Sequence, residues 1–270
     1  MTIGRLENKV ALVVGGGSGM GRAGAAAMAA EGALVAVSDI AADRAEAVAA
    51  SITEAGGTAV AMHVDVTSPE GVQRLVTDVV ARFGRVDAVY HCAADVQFVN
   101  TEDRRLTELD DDVWHRIIDV HLTGTYLILK HVGRQMIAQR SGSIIVSSTV
   151  DALVGCAGLD AYTAAKGGVT SMVRSFAAGV GRDGVRVNAI APSFVSTEPQ
   201  RVWLDDAQAR ATIESLHILP IPTPEQIAPL VVYLASDESA AVTGAVVPVD
   251  AGYMAFKANV DVMGTMQAGY

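Results

Sequence analysis

The chain has 270 residues, half of them hydrophobic and 19% charged, with a formal net charge of −10. That length suits a compact globule with a substantial core, and the acidic balance argues against nucleic acid, which needs a basic face. Cys92 and Cys156 have neither metal-like spacing nor a disulfide framework; with no leader-like N-terminus and no run of about 18 apolar residues, this predicts a cytoplasmic protein without a membrane span.

Strand-like and helix-like patterns alternate along the chain. Lys9 to Val14 reads as a strand that breaks into Gly15-Gly16-Gly17-Ser18-Gly19-Met20-Gly21 and restarts as an alanine-rich helix, Gly19 to Ala30. A flexible loop would use such glycines too. At a first strand-to-helix junction, however, they allow a sharp turn and bring backbone N–H groups to a pyrophosphate at the positive end of the helix. Ala33 to Ser38 is the next strand, followed by a helix from Ala41 to Ala55. Asp39 ends that strand about 20 residues past the turn, where a carboxylate can accept from the adenosine ribose hydroxyls and repel a 2′-phosphate. This favours NAD over NADP; a helix cap is the other use for Asp39.

Thr58 to His63 is a strand, and Pro69 to Phe83 a helix opened by a capping Ser68. Asp65-Val66 lies between them, placed to bond the adenine amine or to form a turn. Asp87 to His91 is a strand, a polar stretch runs from Asp95 to Asp112, and a long helix covers about Val113 to Ala138. Ser143 to Ser148 is a strand, Ala161 to Val180 a helix and Val185 to Ile190 a strand. An irregular segment leads to Thr223, a helix runs to Ala235, and a last strand spans Ala245 to Val249. Pro248 cannot donate to a central ladder, so that strand belongs at a sheet edge. The strands are continuous apolar runs, which predicts a doubly wound α/β fold: a parallel sheet of about seven strands with helices on both faces, in a single domain over 1–270.

Tyr162 and Lys166 open the helix after the fifth strand. Their (i, i+4) spacing places both on one helix face. A phenol with a pKa of ~10 is a poor acid–base group at neutral pH, and an ammonium beside it favours the phenolate. Such a phenol can exchange a proton with an alcohol or carbonyl oxygen as hydride moves to or from a nicotinamide. A serine or threonine hydroxyl just upstream can hold the same oxygen.

Here the chain resembles the short-chain dehydrogenase/reductase family over nearly its whole length. Gly15, Gly19 and Gly21 match its Gly-x-x-x-Gly-x-Gly turn, with Val14 where threonine is usual, and Tyr162 and Lys166 match its catalytic pair. Asn188 to Thr197 looks like its nicotinamide-holding segment, with the Val195 backbone and Thr197 hydroxyl on the carboxamide and Pro192-Ser193 in place of Pro-Gly. Thr243-Gly244 and Val249 to Gly252 resemble its closing motif. The resemblance implies an oxidoreductase with cofactor-binding residues Gly15, Gly17, Ser18, Gly19, Met20, Gly21, Asp39, Ile40, Asp65, Val66, Cys92, Ala93, Ala94, Tyr162, Lys166, Pro192, Val195 and Thr197, and a homotetramer built partly on the long helix and the helix after Tyr162.

Two departures stand out. His91-Cys92-Ala93-Ala94 replaces the family's Asn-Asn-Ala-Gly, and His121 falls where the family places a catalytic asparagine that holds a relay water. His121 either keeps that relay in altered form or is a structural helix histidine. The substrate hydroxyl belongs to Thr149 by spacing or to Ser148 by local sequence; neighbours on a strand point opposite ways, so only one faces the substrate. The segment 197–222 reads as a substrate lid. Its apolar residues either form an amphipathic helix packed on the domain or line the pocket, where they suit a medium-sized apolar or alicyclic alcohol or ketone, with His217 and Asp151 as polar contacts. The tail 256–270 either covers a neighbour's site or is a packed or frayed end. Competing readings are an NADPH-dependent 3-oxoacyl-thioester reductase and a dinucleotide-binding regulatory protein without catalysis.

Overall fold

A computed structural model describes residues 4–255; the tail 256–270, and with it the expectation that it covers a site, lies outside them. Seven strands form one sheet: β1 (Val10–Val14), β2 (Leu34–Asp39), β3 (Thr58–His63), β4 (Ala88–His91), β5 (Gly142–Ser147), β6 (Val185–Pro192) and β7 (Val246–Val249). Their order is β3-β2-β1-β4-β5-β6-β7 and every pairing is parallel. β3 and β7 are the edge strands, and Pro248 of β7 pairs with Ala191.

The continuous apolar runs reflect burial on both faces. Along β1, Val10, Leu12 and Val14 point into one core and Ala11 and Val13 into the other, and none is more than 1% exposed. Helices α1 (Gly19–Ala30) and α2 (Ala42–Glu54) cover the second core through Ala25, Met28, Val48 and Ile52. α3 (Pro69–Phe83) covers the first through Val72, Leu75 and Val79. Ser68 caps α3, its hydroxyl accepting from Gly71 N–H at 3.0 Å.

The polar stretch after β4 is not all loop. It contains α4 (Val96–Glu102), whose cap is Asp95, accepting from Phe98 N–H at 3.2 Å. The long helix is not uniform either. It comprises α5 (Asp111–Ile118), a π-helical turn at Asp119–Thr123, and α6 (Gly124–Gln139). A short helix α7 (Asp151–Val154) precedes α8 (Asp160–Val180). The segment after β6 is helical rather than irregular: a 3-10 turn at Glu198–Gln200, α9 (Arg201–Leu204) and α10 (Ala207–Ser215) precede α11 (Pro224–Ala235). α6 and α8 complete the first layer and α11 the second.

Candidate active site

Chain order reverses between β1 and β4, and a crevice opens beyond the carboxyl ends of these strands. The glycine turn sits in it. Gly15 has φ +79°, and a Cβ there would lie 2.5 Å from the backbone of Ala93, so only glycine lets the two loops approach. Ser38 O braces the turn, accepting from Gly15 N–H and Gly16 N–H at 2.8 and 2.9 Å. Gly21 packs directly on the Gly15 carbonyl. Ser18, the N-cap of α1, makes no side-chain capping bond, so no hydroxyl competes with an anion for the first-turn N–H groups.

A cavity of about 1260 Å³ runs from this turn into the substrate end. That exceeds the volume usual for one small ligand and suits a dinucleotide together with a substrate. Its walls bring together most of the predicted residues: Gly15, Ser18, Gly19 and Met20; Asp39 and Ile40; Asp65 and Val66; Cys92, Ala93 and Ala94; and Pro192, Val195 and Thr197. Ser148, Thr149, Tyr162 and Lys166 line it as well. Gly17, Gly21 and His121 do not. The Gly17 N–H donates to Asp39 Oδ2 at 2.9 Å. The other Asp39 oxygen accepts from Ala41 N–H at 3.0 Å, so the carboxylate is pinned at the cavity wall. Asp65 Oδ1 holds the Thr67 N–H and hydroxyl, at 2.9 and 2.7 Å, and is a turn former that also lines the cavity.

The two candidate hydroxyls diverge, as neighbours at a strand end should. Ser148 Oγ donates to the Lys166 carbonyl at 3.3 Å, toward α8. Thr149 Oγ1 donates to Asp151 Oδ2 at 3.0 Å and accepts from Asp151 N–H at 3.2 Å, at the base of the substrate end. Lys166 is buried, and its Nζ donates to Ser147 O at 2.8 Å. Burial lowers its pKa to about 8. Tyr162 departs from expectation: burial, then the charge of Asp151, push its phenol above the usual value. The Lys166 ammonium lies 5.7 Å from the Tyr162 ring centroid and does not offset them.

His121 sits in the π-helical turn, 1% exposed, with its ring edge-on to Tyr162 at 5.1 Å between centroids. Neither of its ring nitrogens has a hydrogen-bond partner among the described residues. Burial, then the Lys166 charge, hold it neutral, its pKa far below the usual histidine value. Thr125 Oγ1 donates its one proton to the His121 carbonyl at 2.7 Å. It must therefore accept from His91 Nε2–H, at 3.1 Å. His91 is thus the Nε2–H tautomer, with Nδ1 a buried acceptor lacking a described partner, and burial lowers its pKa to about 3.

Sequence reasoning passed over several residues of the site. Arg44 and Tyr253 line the cavity without any motif to mark them, and Phe194 does so from within the Asn188 to Thr197 segment, where the resemblance points to Val195 and Thr197 instead. Asp103 is 3% exposed, and its oxygens accept from Ala161 N–H and Tyr162 N–H at 3.2 and 2.9 Å, holding the start of the helix that carries Tyr162 and Lys166. His217, a possible substrate contact, is 3% exposed and bonded at both nitrogens, to Ile213 O at 2.7 Å and Ser193 Oγ at 2.9 Å; it ties α10 to the β6 loop.

Residues 15–254 match a family model described as enoyl-(acyl carrier protein) reductase. The chain is 38% identical to a cis-4-hydroxycyclohexanecarboxylate dehydrogenase of Sinomonas cyclohexanicum, over 92% of this chain and 97% of the relative. It is also 38% identical to a 3-alpha-(or 20-beta)-hydroxysteroid dehydrogenase of Mycobacterium bovis, over 96% and 94%. The crystal structure of a levodione reductase superposes with a TM-score of 0.86 at 29% identity, covering 93% of this chain and all of that one.

Proposed function

The chain belongs to the short-chain dehydrogenase/reductase family, and from that premise we propose that it is an NAD-dependent enzyme interconverting a secondary alcohol and a ketone. The observation that carries this reading is the meeting of Tyr162, Lys166 and Thr149 with the glycine turn and Asp39 in one cavity. A nicotinamide dinucleotide held along the turn supplies the hydride acceptor or donor. Tyr162 takes the hydroxyl proton in oxidation and returns it in reduction. Its own surroundings favour the phenol, so oxidation depends on positive charge, and a Lys166 pKa of about 8 keeps that residue an ammonium at neutral pH. Thr149, not Ser148, holds the substrate oxygen. His121 offers one donor and one acceptor near Lys166 and completes the proton path.

Asp39 takes the adenosine ribose hydroxyls and opposes a 2′-phosphate. Arg44 lines the same cavity and is the observation that favours the NADPH-dependent thioester reductase instead. Leu159, Phe194, Trp203, Ile213 and Leu216 line the substrate end, which supports a medium-sized apolar or alicyclic substrate under a lid formed by 197–222. The protein works in the cytoplasm as a homotetramer built on the α5–α6 and α8 surfaces, where Tyr126 of α6 is 46% exposed. The test is NADH production over a panel of secondary alcohols, with NAD and NADP compared. Tyr162→Phe should lower kcat by about 10²- to 10⁴-fold. Turnover preferring NADP would sink the Asp39 argument. NADH binding with no turnover would favour the regulatory reading.

A further inference from the structure

The substrate end of the cavity carries one carboxylate whose role the reaction does not require. Asp151 lies on the cavity wall together with Thr149, Tyr162, Cys156 and Tyr253. Its Oδ2 accepts the Thr149 hydroxyl proton, and its Oδ1 has no hydrogen-bond partner among the described residues. No lysine, arginine or histidine of the described residues forms an ion pair with it. Its negative charge is felt by all three neighbours that could ionise: Tyr162, Tyr253 and Cys156 are each held more firmly protonated by it. A part-buried carboxylate with a free oxygen, set among apolar walls, is satisfied best by a donor brought in on the ligand.

We propose that Asp151 is a substrate-recognition residue that binds a second hydrogen-bond donor, a hydroxyl or an ammonium, one or two carbons from the reacting carbinol. The inference rests on the proposed function and names its substrate class. The spacing follows from Thr149. Its Oγ1 is 3.0 Å from Asp151 Oδ2, and a substrate oxygen bonded to that same Oγ1 lies within about 6 Å of the carboxylate. A donor on a neighbouring carbon spans that gap, whereas a remote one does not. A carboxylate at the same place meets like charge in a poorly solvated wall and is rejected. Because the one alcohol proton goes to Tyr162, Thr149 holds the substrate oxygen by donating to it and releases Asp151 Oδ2, which leaves both carboxylate oxygens for the second donor of the ligand.

The test compares cyclohexanol, trans-cyclohexane-1,2-diol, trans-2-aminocyclohexanol and 2-hydroxycyclohexanecarboxylate as substrates of wild type, Asp151→Asn and Asp151→Ala. Wild type should prefer the diol and the amino alcohol to cyclohexanol by about ten- to a hundredfold in kcat/KM, with the carboxylate poorest. Asp151→Ala should bring those ratios to within about threefold of one. Asp151→Asn should keep part of the diol preference and lose that for the amino alcohol. Equal losses on every substrate in Asp151→Ala would overturn the proposal, since Asp151 would then act only through Thr149. The same ligands are titrated by quenching of Trp203, which lines the cavity. An Asp151-dependent binding preference without turnover would overturn the dehydrogenase reading and leave the recognition site standing. No preference in binding or turnover would overturn the recognition site itself.

Discussion

His121 is 1% exposed, and neither ring nitrogen has a partner among the described residues, an arrangement that a purely structural histidine gains nothing from. Buried polar atoms without partners cost about 1–3 kcal/mol each. Leucine or methionine would fill the same space in the π-helical turn without that cost. The proposed role in moving protons beside Tyr162 and Lys166 would give those nitrogens a use. If it holds, His121→Ala lowers kcat by at least about tenfold while KM stays within about twofold. His121→Asn, which keeps one donor and one acceptor, restores most of the loss. Thermal unfolding of both variants separates this from a packing defect. If both lose stability while kcat holds, the histidine is structural. The ambiguity between Ser148 and Thr149 belongs to the same scale. Spacing and local sequence disagree by one residue there, and only the hydrogen bonds to Lys166 O and Asp151 separate the two side chains.

At the level of elements, α8 carries Tyr162 and Lys166, yet its own N-cap, Leu159, supplies no capping bond. Asp103 does so from 58 and 59 residues upstream, through two backbone N–H groups, and its charge complements the positive end of the helix. Asp103→Ala should therefore destabilise the fold by about 2–4 kcal/mol and lower kcat with it, because Tyr162 itself is one of the residues held. Asp103→Asn should fall between. Urea unfolding read beside kcat checks the link, and an inactive variant of unchanged stability would break it. This cap was not legible in the sequence, because its two halves meet only in the folded chain. The parallel strands were legible, since burial on both faces writes itself as runs such as Val10 to Val14. The π-helical turn was not, because one extra residue per turn leaves no break in an apolar pattern. Helices α9 and α10 could not be bounded within their segment for the opposite reason: Val202 and Trp203 of α9 and Leu216 just past α10 are 66%, 42% and 44% exposed, so no buried stripe marks them.

Across the whole molecule, two of the buried imidazoles make stability depend on pH. His91 has its folded pKa lowered to about 3 from 6.5, and His121 is lowered for the same reason. The unfolded chain thus binds protons below pH 6.5 that the folded chain refuses, and stability falls as pH falls from 6.5 toward 3. For His91 alone the loss between pH 7.5 and 5.5 is about 1.4 kcal/mol. The lower limit matters, because the chain's pI is near 5.0 and proteins without net charge associate. Chemical unfolding at equal protomer concentration, at pH 7.5 and 5.5, reads this directly. His91→Asn has no proton to gain in this range, so the variant should lose less stability than wild type by about that amount on moving to pH 5.5. Carboxylates elsewhere titrate alike in both proteins and cancel in the difference. Parallel pH slopes for wild type and His91→Asn would mean that His91 is protonated in the folded state, and the tautomer deduced from Thr125 would fall with it.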